Sequence, residues 1–120
     1  MLMNNFYTVK DEQVGESSFS CKVSFDASHD IFKGHFPEQP VVPGVCMMEI
    51  VRELLQKQTG KKLWLRHAGN MKFLQLITPE IEPTININWS EGNNGYEVTA
   101  SINNEAAVMF KLTGAHYELN

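Results

Sequence analysis

From Ser18 to Asp26 the side chains alternate, with Phe19, Cys21, Val23 and Phe25 on one face and Ser18, Ser20, Lys22, Ser24 and Asp26 on the other. A period of two over that length predicts a strand with one buried face. Ala27 to Phe32 breaks the alternation and reads as an irregular connection holding His29 and Asp30. After Pro43 the period changes. Apolar residues fill positions 45, 46, 47, 48, 50, 51, 54 and 55, while polar ones fall at 49, 52, 53 and 56, which predicts a helix from about Pro43 to Gln58 with one narrow polar stripe. Its first turn and a half is apolar almost all round, so the helix is expected to be enclosed. Gly60 supplies the usual stop, and Lys57, Lys61 and Lys62 gather at the negative end of the helix. Beyond it the chain turns to strands. Leu63–Ala68 and Met71–Ile77 read as two strands, or as one long strand broken by a bulge near Gly69-Asn70. Ile85, Ile87 and Trp89 alternate with polar residues, as do Tyr96, Val98, Ala100 and Ile102, and Asn93-Asn94-Gly95 between them is a hairpin signal. Asn103-Asn104 then turns the chain into a last strand from about Ala106 to His116. One enclosed helix and a run of antiparallel strands predict an α+β domain whose curved sheet wraps around the helix.

The length of 120 residues makes that one domain, 1–120. A net charge of −4 gives no electrostatic reason to bind nucleic acid or an anionic membrane. Neither a signal-length apolar run at the N-terminus nor a stretch of membrane-spanning length is present, so a cytoplasmic protein is expected. Cys21 and Cys46 lack metal-ligand spacing and read as buried thiols. His29, His67 and His116 have neither paired spacing nor acidic clusters nearby, so they read as satisfied or surface histidines, and no metal is expected. The Met47-Met48 pair reads as core filling.

The unusual chemistry is concentrated from Gly34 to Val45. Prolines at 37, 40 and 43 recur with the period of a polyproline II helix, which predicts an extended, stiff segment that holds His35 in place. Pro43 sits where a first-turn proline belongs, and Gly44 follows it without a side chain. The helix therefore begins with bare backbone. Its unpaired N–H donors and the positive end of its dipole would polarise a carbonyl oxygen brought there.

Gly34-His35-Phe36-Pro37-x-x-Pro40-x-x-Pro43-Gly44-Val45, followed by an apolar helix bearing Glu49, resembles the 3-hydroxyacyl-acyl-carrier-protein dehydratases of the hotdog fold. Glu49 follows His35 by fourteen positions, the spacing at which that family carries its acid. The resemblance implies His35 as the catalytic histidine, Glu49 as the acid, and the backbone of Gly44 and Val45 as donors to the thioester carbonyl. It also implies Phe36, Pro43 and Glu53 as pocket residues. Lys72-Phe73-Leu74 through Pro79 is similar to the family's basic-aromatic strand and turn. Glu38 stands in place of the usual glycine, and Glu53 in place of the usual glutamine; both departures bear on substrate and rate. Further implications are a homodimer or higher homo-oligomer, with each site drawing His and Glu from different subunits, an acyl carrier protein as partner, and no cofactor.

The chemistry implied is loss of water from a 3-hydroxyacyl thioester. His35 would remove the proton beside the thioester, the Gly44 N–H would stabilise the enolate oxygen, and Glu49, raised in pKa by apolar surroundings, would protonate the leaving hydroxyl. Two other readings share the fold: an acyl thioesterase in which Glu49 activates water, and a non-catalytic acyl-binding subunit. Periodicity alone makes Glu49 a solvated glutamate paired with Arg52. Lys57, Lys61, Lys62 and Arg66, with Lys72 as a fifth member, form either a dock for the acidic carrier or a complement to the helix end.

Overall fold

The computed structural model describes residues 1–33 and 40–118. His35, Phe36, Glu38 and the first part of the proline segment lie outside the described residues. Strands β1 (Tyr7–Val14) and β2 (Ser18–Phe25) come first, then a short 3-10 turn (Asp30–Lys33) and helix α1 (Gly44–Thr59). Strands β3 (Leu63–Phe73), β4 (Thr84–Gly92), β5 (Gly95–Asn104) and β6 (Ala107–Glu118) follow. They form one six-stranded sheet in the order β1-β2-β4-β5-β6-β3, with every neighbouring pair antiparallel. The chain is an α+β hotdog, the sheet curving around α1.

The alternations lie where the period of two put them. Phe19, Cys21, Val23, Ile85, Ile87, Val98, Ala100, Ile102, Phe110 and Leu112 form the buried face of the sheet. Cys46, Met47, Ile50, Val51, Leu54 and Leu55 of α1 join them in the core. Both cysteines are buried, free thiols. Burying each large aliphatic side chain contributes about 1.5–3 kcal/mol relative to leaving it in water, so sheet and helix hold each other in register. Among the described residues no helix is long and apolar enough to cross a membrane.

Several boundaries differ from those read in the sequence. β1 has no counterpart among the predicted strands because only Tyr7 and Val9 alternate inward; Asp11, at φ 54°, lies in a register shift between Lys10 and Gln13. Leu63–Phe73 is one strand, with register shifts between Leu65 and His67 and again between Ala68 and Asn70. It ends at Phe73 because the N–H groups of Leu74 and Gln75 both turn to the Met109 carbonyl, and Ile77 is drawn inward as its carbonyl accepts from the Val42 N–H at 2.7 Å. The last turn is Glu105-Ala106, two residues beyond Asn103-Asn104, with Glu105 at φ 54°. The Asn93-Asn94 hairpin stands as expected, Asn94 taking φ 61° and Gly92 pairing Gly95.

The helix runs one residue later than predicted at both ends. Pro43, at φ −62° and ψ 148°, is the extended residue before the helix rather than its first member. Gly60 at φ 71° closes the other end, its N–H donating to the Gln56 carbonyl at 2.8 Å. The αL conformation there is one that a side chain would resist.

Candidate active site

The start of α1 is held from two sides. The bond from Val42 to Ile77 fixes the approach of the chain, and the Phe73 ring packs on Gly44 so closely that an added Cβ would lie 2.7 Å from its Cε1. A side chain at 44 would force the Phe73 ring to shift, so glycine suits the packing as well as the bare backbone. The Pro43 carbonyl accepts from the Cys46 and Met47 N–H groups at 3.0 and 3.2 Å. The N–H groups of Gly44 and Val45 precede the helix's own acceptors and point out of its positive end.

In front of them opens a cleft of about 550 Å³, lined among the described residues by Phe32, Val42, Pro43, Gly44, Met47, Phe73 and Leu76 with their neighbours. Pro43 and Gly44 thus stand in the pocket wall. Val45 is 73% exposed, Leu76 64% and Phe73 52%, so the apolar first turn is not enclosed within one chain. Met47 both fills the core and faces the cleft. Phe32 and Val42 carried no sequence signal for this place, because their chain neighbours are not their spatial neighbours.

Glu49 lies just beyond the first turn, half-buried, in the grip of Arg52. Arg52 Nε donates to Glu49 Oε1 and Oε2 at 3.1 and 3.0 Å, and Nη2 donates to Oε1 as well. Those bonds hold the Glu49 carboxyl below the usual carboxylate range, outweighing the partial burial that acts the other way. The expectation of a raised Glu49 pKa is thereby corrected: its nearest partner is a guanidinium, not an apolar wall.

The polar stripe is not a solvent face either. Glu53 is 1% exposed, and its carboxyl oxygens accept from the Leu2 N–H and Met3 N–H, each at 2.8 Å, and from the Tyr7 hydroxyl at 3.1 Å. It lies under the N-terminal segment, where it anchors Leu2, Met3 and Tyr7, and is not among the described residues that line the cleft. Its partners, two of them backbone groups, are some fifty residues away in the chain, and no local pattern announces them.

The four basic residues gather at the opposite end of α1 from the cleft; from Gly44 to Lys57 the helix runs about 20 Å at roughly 1.5 Å per residue. Lys57 meets Glu12 at 2.8 Å, Lys61 meets Glu118 at 3.8 Å and lies over the Tyr96 ring, and the Arg66 guanidinium lies over the Tyr117 ring. Lys62 is exposed. Lys72 is exposed and precedes Phe73 in the chain.

His29 is a satisfied histidine, as expected: Nε2 lies 2.6 Å from Asn5 Oδ1, and Nδ1 accepts from the Ile31 N–H. His116 departs from expectation. It is 1% exposed, with no partner for either ring nitrogen among the described residues, and burial pulls its pKa down to about 4, helped by the charge of Arg52.

Comparison with known proteins agrees with this fold. Residues 11–111 match the model of the ApeI-like family, described as ApeI dehydratase. The 3-hydroxyacyl-[acyl-carrier-protein] dehydratase FabZ of Clostridium acetobutylicum is 33% identical over 96 residues, covering 72% of this chain and 68% of that one. FabZ of Bacillus velezensis is 27% identical over 99 residues, covering 74% and 70%. Among solved structures, the dehydratase heterocomplex ApeI:P from Xenorhabdus doucetiae superposes with TM-score 0.77 at 20% identity, covering 92% of this chain and 97% of that one. A hypothetical thioesterase with coenzyme A from Streptococcus pneumoniae reaches 0.71 at 10% identity, covering 98% and 92%. At such identities the structures share the fold alone, whereas the family match spans most of the chain. The protein belongs to the ApeI-like family of hotdog dehydratases and is a hydro-lyase.

Proposed function

We propose that the protein dehydrates a 3-hydroxyacyl thioester carried on an acyl carrier protein to the trans-2-enoyl thioester, in fatty-acid or related polyketide or polyene lipid synthesis. One observation carries this reading: in a chain of a dehydratase family, an apolar cleft and two helix N–H groups without a partner among the described residues stand at the start of the helix, and a fixed carboxyl group, outside the described cleft wall, follows just beyond the first turn. The cleft would take the acyl chain, and the Gly44 and Val45 N–H groups would receive the thioester oxygen. His35 would act as base at C2, and Glu49 would face the 3-hydroxyl. Removing one oxyanion donor typically lowers a rate by about 10²–10³, and general acid–base help supplies about 10²–10⁴.

The apolar surface left open around Val45, Phe73, Leu74 and Leu76, with β3 at the sheet edge, supports a second subunit joined edge to edge. This would be a homodimer or higher homo-oligomer that brings the histidine of one chain to the glutamate of the other. The neighbour from Xenorhabdus is a heterocomplex, so a related partner chain is the other arrangement to look for. Carrier docking is assigned to Lys57, Lys61, Lys62 and Arg66, with Lys72 as a fifth member. Their surface pairs are weakened by solvent and leave the charge available.

The test is to add the protein to a short 2-enoyl pantetheine thioester and follow the loss of ultraviolet conjugation as water adds. Hydration is expected. Release of free thiol instead would move the site to thioester hydrolysis, and binding without turnover would make it an acyl-binding subunit.

A further inference from the structure

The pair of Glu49 and Arg52 is built more firmly than a surface ion pair. Arg52 cannot swing away, because Nη1 donates to Gln56 Oε1 at 2.8 Å and to the Leu63 carbonyl at 3.1 Å. Gln56 Oε1 is itself fixed by the Leu63 N–H at 2.8 Å, and the Trp64 ring lies against the guanidinium, 4.7 Å from centroid to Cζ. Helix and β3 therefore hold the guanidinium from behind while its front edge takes the carboxyl group of Glu49. Arg52 is largely covered, and Glu49 keeps about a third of its side-chain surface open, so the carboxyl is pinned on one side and presented on the other.

We propose that Arg52 is a positioning residue that presents Glu49 to the substrate as a fixed carboxylate, a hydrogen-bond acceptor for the 3-hydroxyl and not a proton donor. This rests on the reading of Glu49 as the carboxyl group of the site. Its chemistry balances without any co-reactant. The C2–H bond breaks toward the base, its electron pair forms the C2–C3 double bond, and the C3–O bond breaks with its pair going to oxygen. That oxygen needs one proton. An ionised Glu49 has none to give, so the proton comes from the conjugate acid of the base that removed it from C2. The carboxylate meanwhile aligns the hydroxyl through the bond it accepts.

Among the described residues, the groups facing Glu49 are these. On its own helix they are Arg52, Glu53 and the Cys46 thiol. From the N-terminal segment comes the Met1 α-amino group, and from β1 the Tyr7 hydroxyl. From β3 come the Trp64 ring and the Leu63 carbonyl behind Arg52, neither of which titrates. Arg52 is the partner that bonds both carboxyl oxygens.

The test combines carboxyl-carbon NMR titration of Glu49 with the pH profile of enoyl-pantetheine hydration, in the wild-type protein and in Arg52→Gln, Arg52→Lys and Glu49→Gln. In the wild type the resonance should titrate below the ordinary glutamate value of about 4.3, while the acid limb of kcat/KM follows the histidine base. Arg52→Gln should move the resonance up to or beyond that value, leave the acid limb where the base puts it, and lower kcat roughly tenfold to a hundredfold with little change in KM. Arg52→Lys keeps the charge but loses the two-pronged geometry; it should leave the titration low, lower kcat less, and serve as the folded control if Arg52→Gln is unstable. A Glu49 resonance and a kcat both unmoved in Arg52→Gln while Glu49→Gln is inactive would overturn the role of Arg52 alone. Higher activity at neutral pH in Arg52→Gln would show Glu49 acting as an acid, and would overturn it too. Full activity in Glu49→Gln would instead remove the reading of Glu49, and the proposal with it.

Discussion

The two ends of α1 are finished in opposite ways. At the C-terminal end every polar group named has a partner: Gly60 N–H on the Gln56 carbonyl, the Thr59 hydroxyl on the Leu55 carbonyl, Gln56 between Arg52 and Leu63, and Glu53 under three donors. At the N-terminal end the Gly44 and Val45 N–H groups lie beyond the helix's own ladder, and Val45, Phe73 and Leu76 stay in the open beside the cleft. Native chains leave donors and large apolar side chains uncovered together mainly where another molecule completes them. On the proposed function the filled end serves stability and the open end chemistry, so substitutions at the two should fail differently.

The sharpest break is at the open end. His35→Ala and Glu49→Gln should each lower dehydration by about 10²–10⁴ while leaving the melting temperature within a few degrees. Steady-state kinetics beside thermal melts would check both; a well-folded variant at full rate would return that residue to the scaffold. At the filled end the order reverses. Glu53→Ala strands the Leu2, Met3 and Tyr7 donors, at about 1–3 kcal/mol for each one left without an acceptor. Its melting temperature should fall by about 10 °C or more, with kcat in the folded fraction within a few-fold of wild type.

His116 gives the comparison a pH axis. Its folded pKa of about 4 lies below the unfolded value of 6.5, so the unfolded chain takes up a proton that the folded one refuses as pH falls through that window. The contribution is absent above about pH 6.5, grows downward and levels off below about 4, reaching on the order of 3 kcal/mol of lost stability. Denaturant midpoints from pH 7 to 4 should show the loss, and His116→Leu should flatten the curve. An equally steep curve in the variant would assign the loss to other groups. The smallest effect is expected at the surface beyond the filled end. Reversing Lys61 and Lys62 to Glu should raise KM a few-fold for carrier-bound substrate and reduce its salt dependence, with pantetheine substrates unchanged. Equal loss on both substrates would mean damage to the site, and no loss on either would leave these lysines as helix-end charges.

The sequence made legible whatever repeats locally. The period-two runs in β2, β4 and β5, the Asn93-Asn94 hairpin and the Gly60 stop all rest on near neighbours in the chain, and the helix pattern places α1 to within a residue at each end. β1 escaped because its alternation stops after Val9 at a register shift. The carboxyl stripe showed its spacing but not its environment. Glu49 and Arg52 were a pair on spacing alone, yet the burial of Glu53 depends on a segment some fifty residues upstream, and the fixing of Arg52 on the start of β3. His116 looked like any histidine because what isolates it is the packing of β6 between β3 and β5.

The central claim, that the open helix end removes water from a hydroxyacyl thioester, is most directly tested by incubating the protein with a 3-hydroxyacyl pantetheine thioester and following thioester mass and free thiol together. Loss of one water with the thioester intact, abolished in Glu49→Gln, is the predicted result. Free thiol with no dehydrated thioester would contradict it.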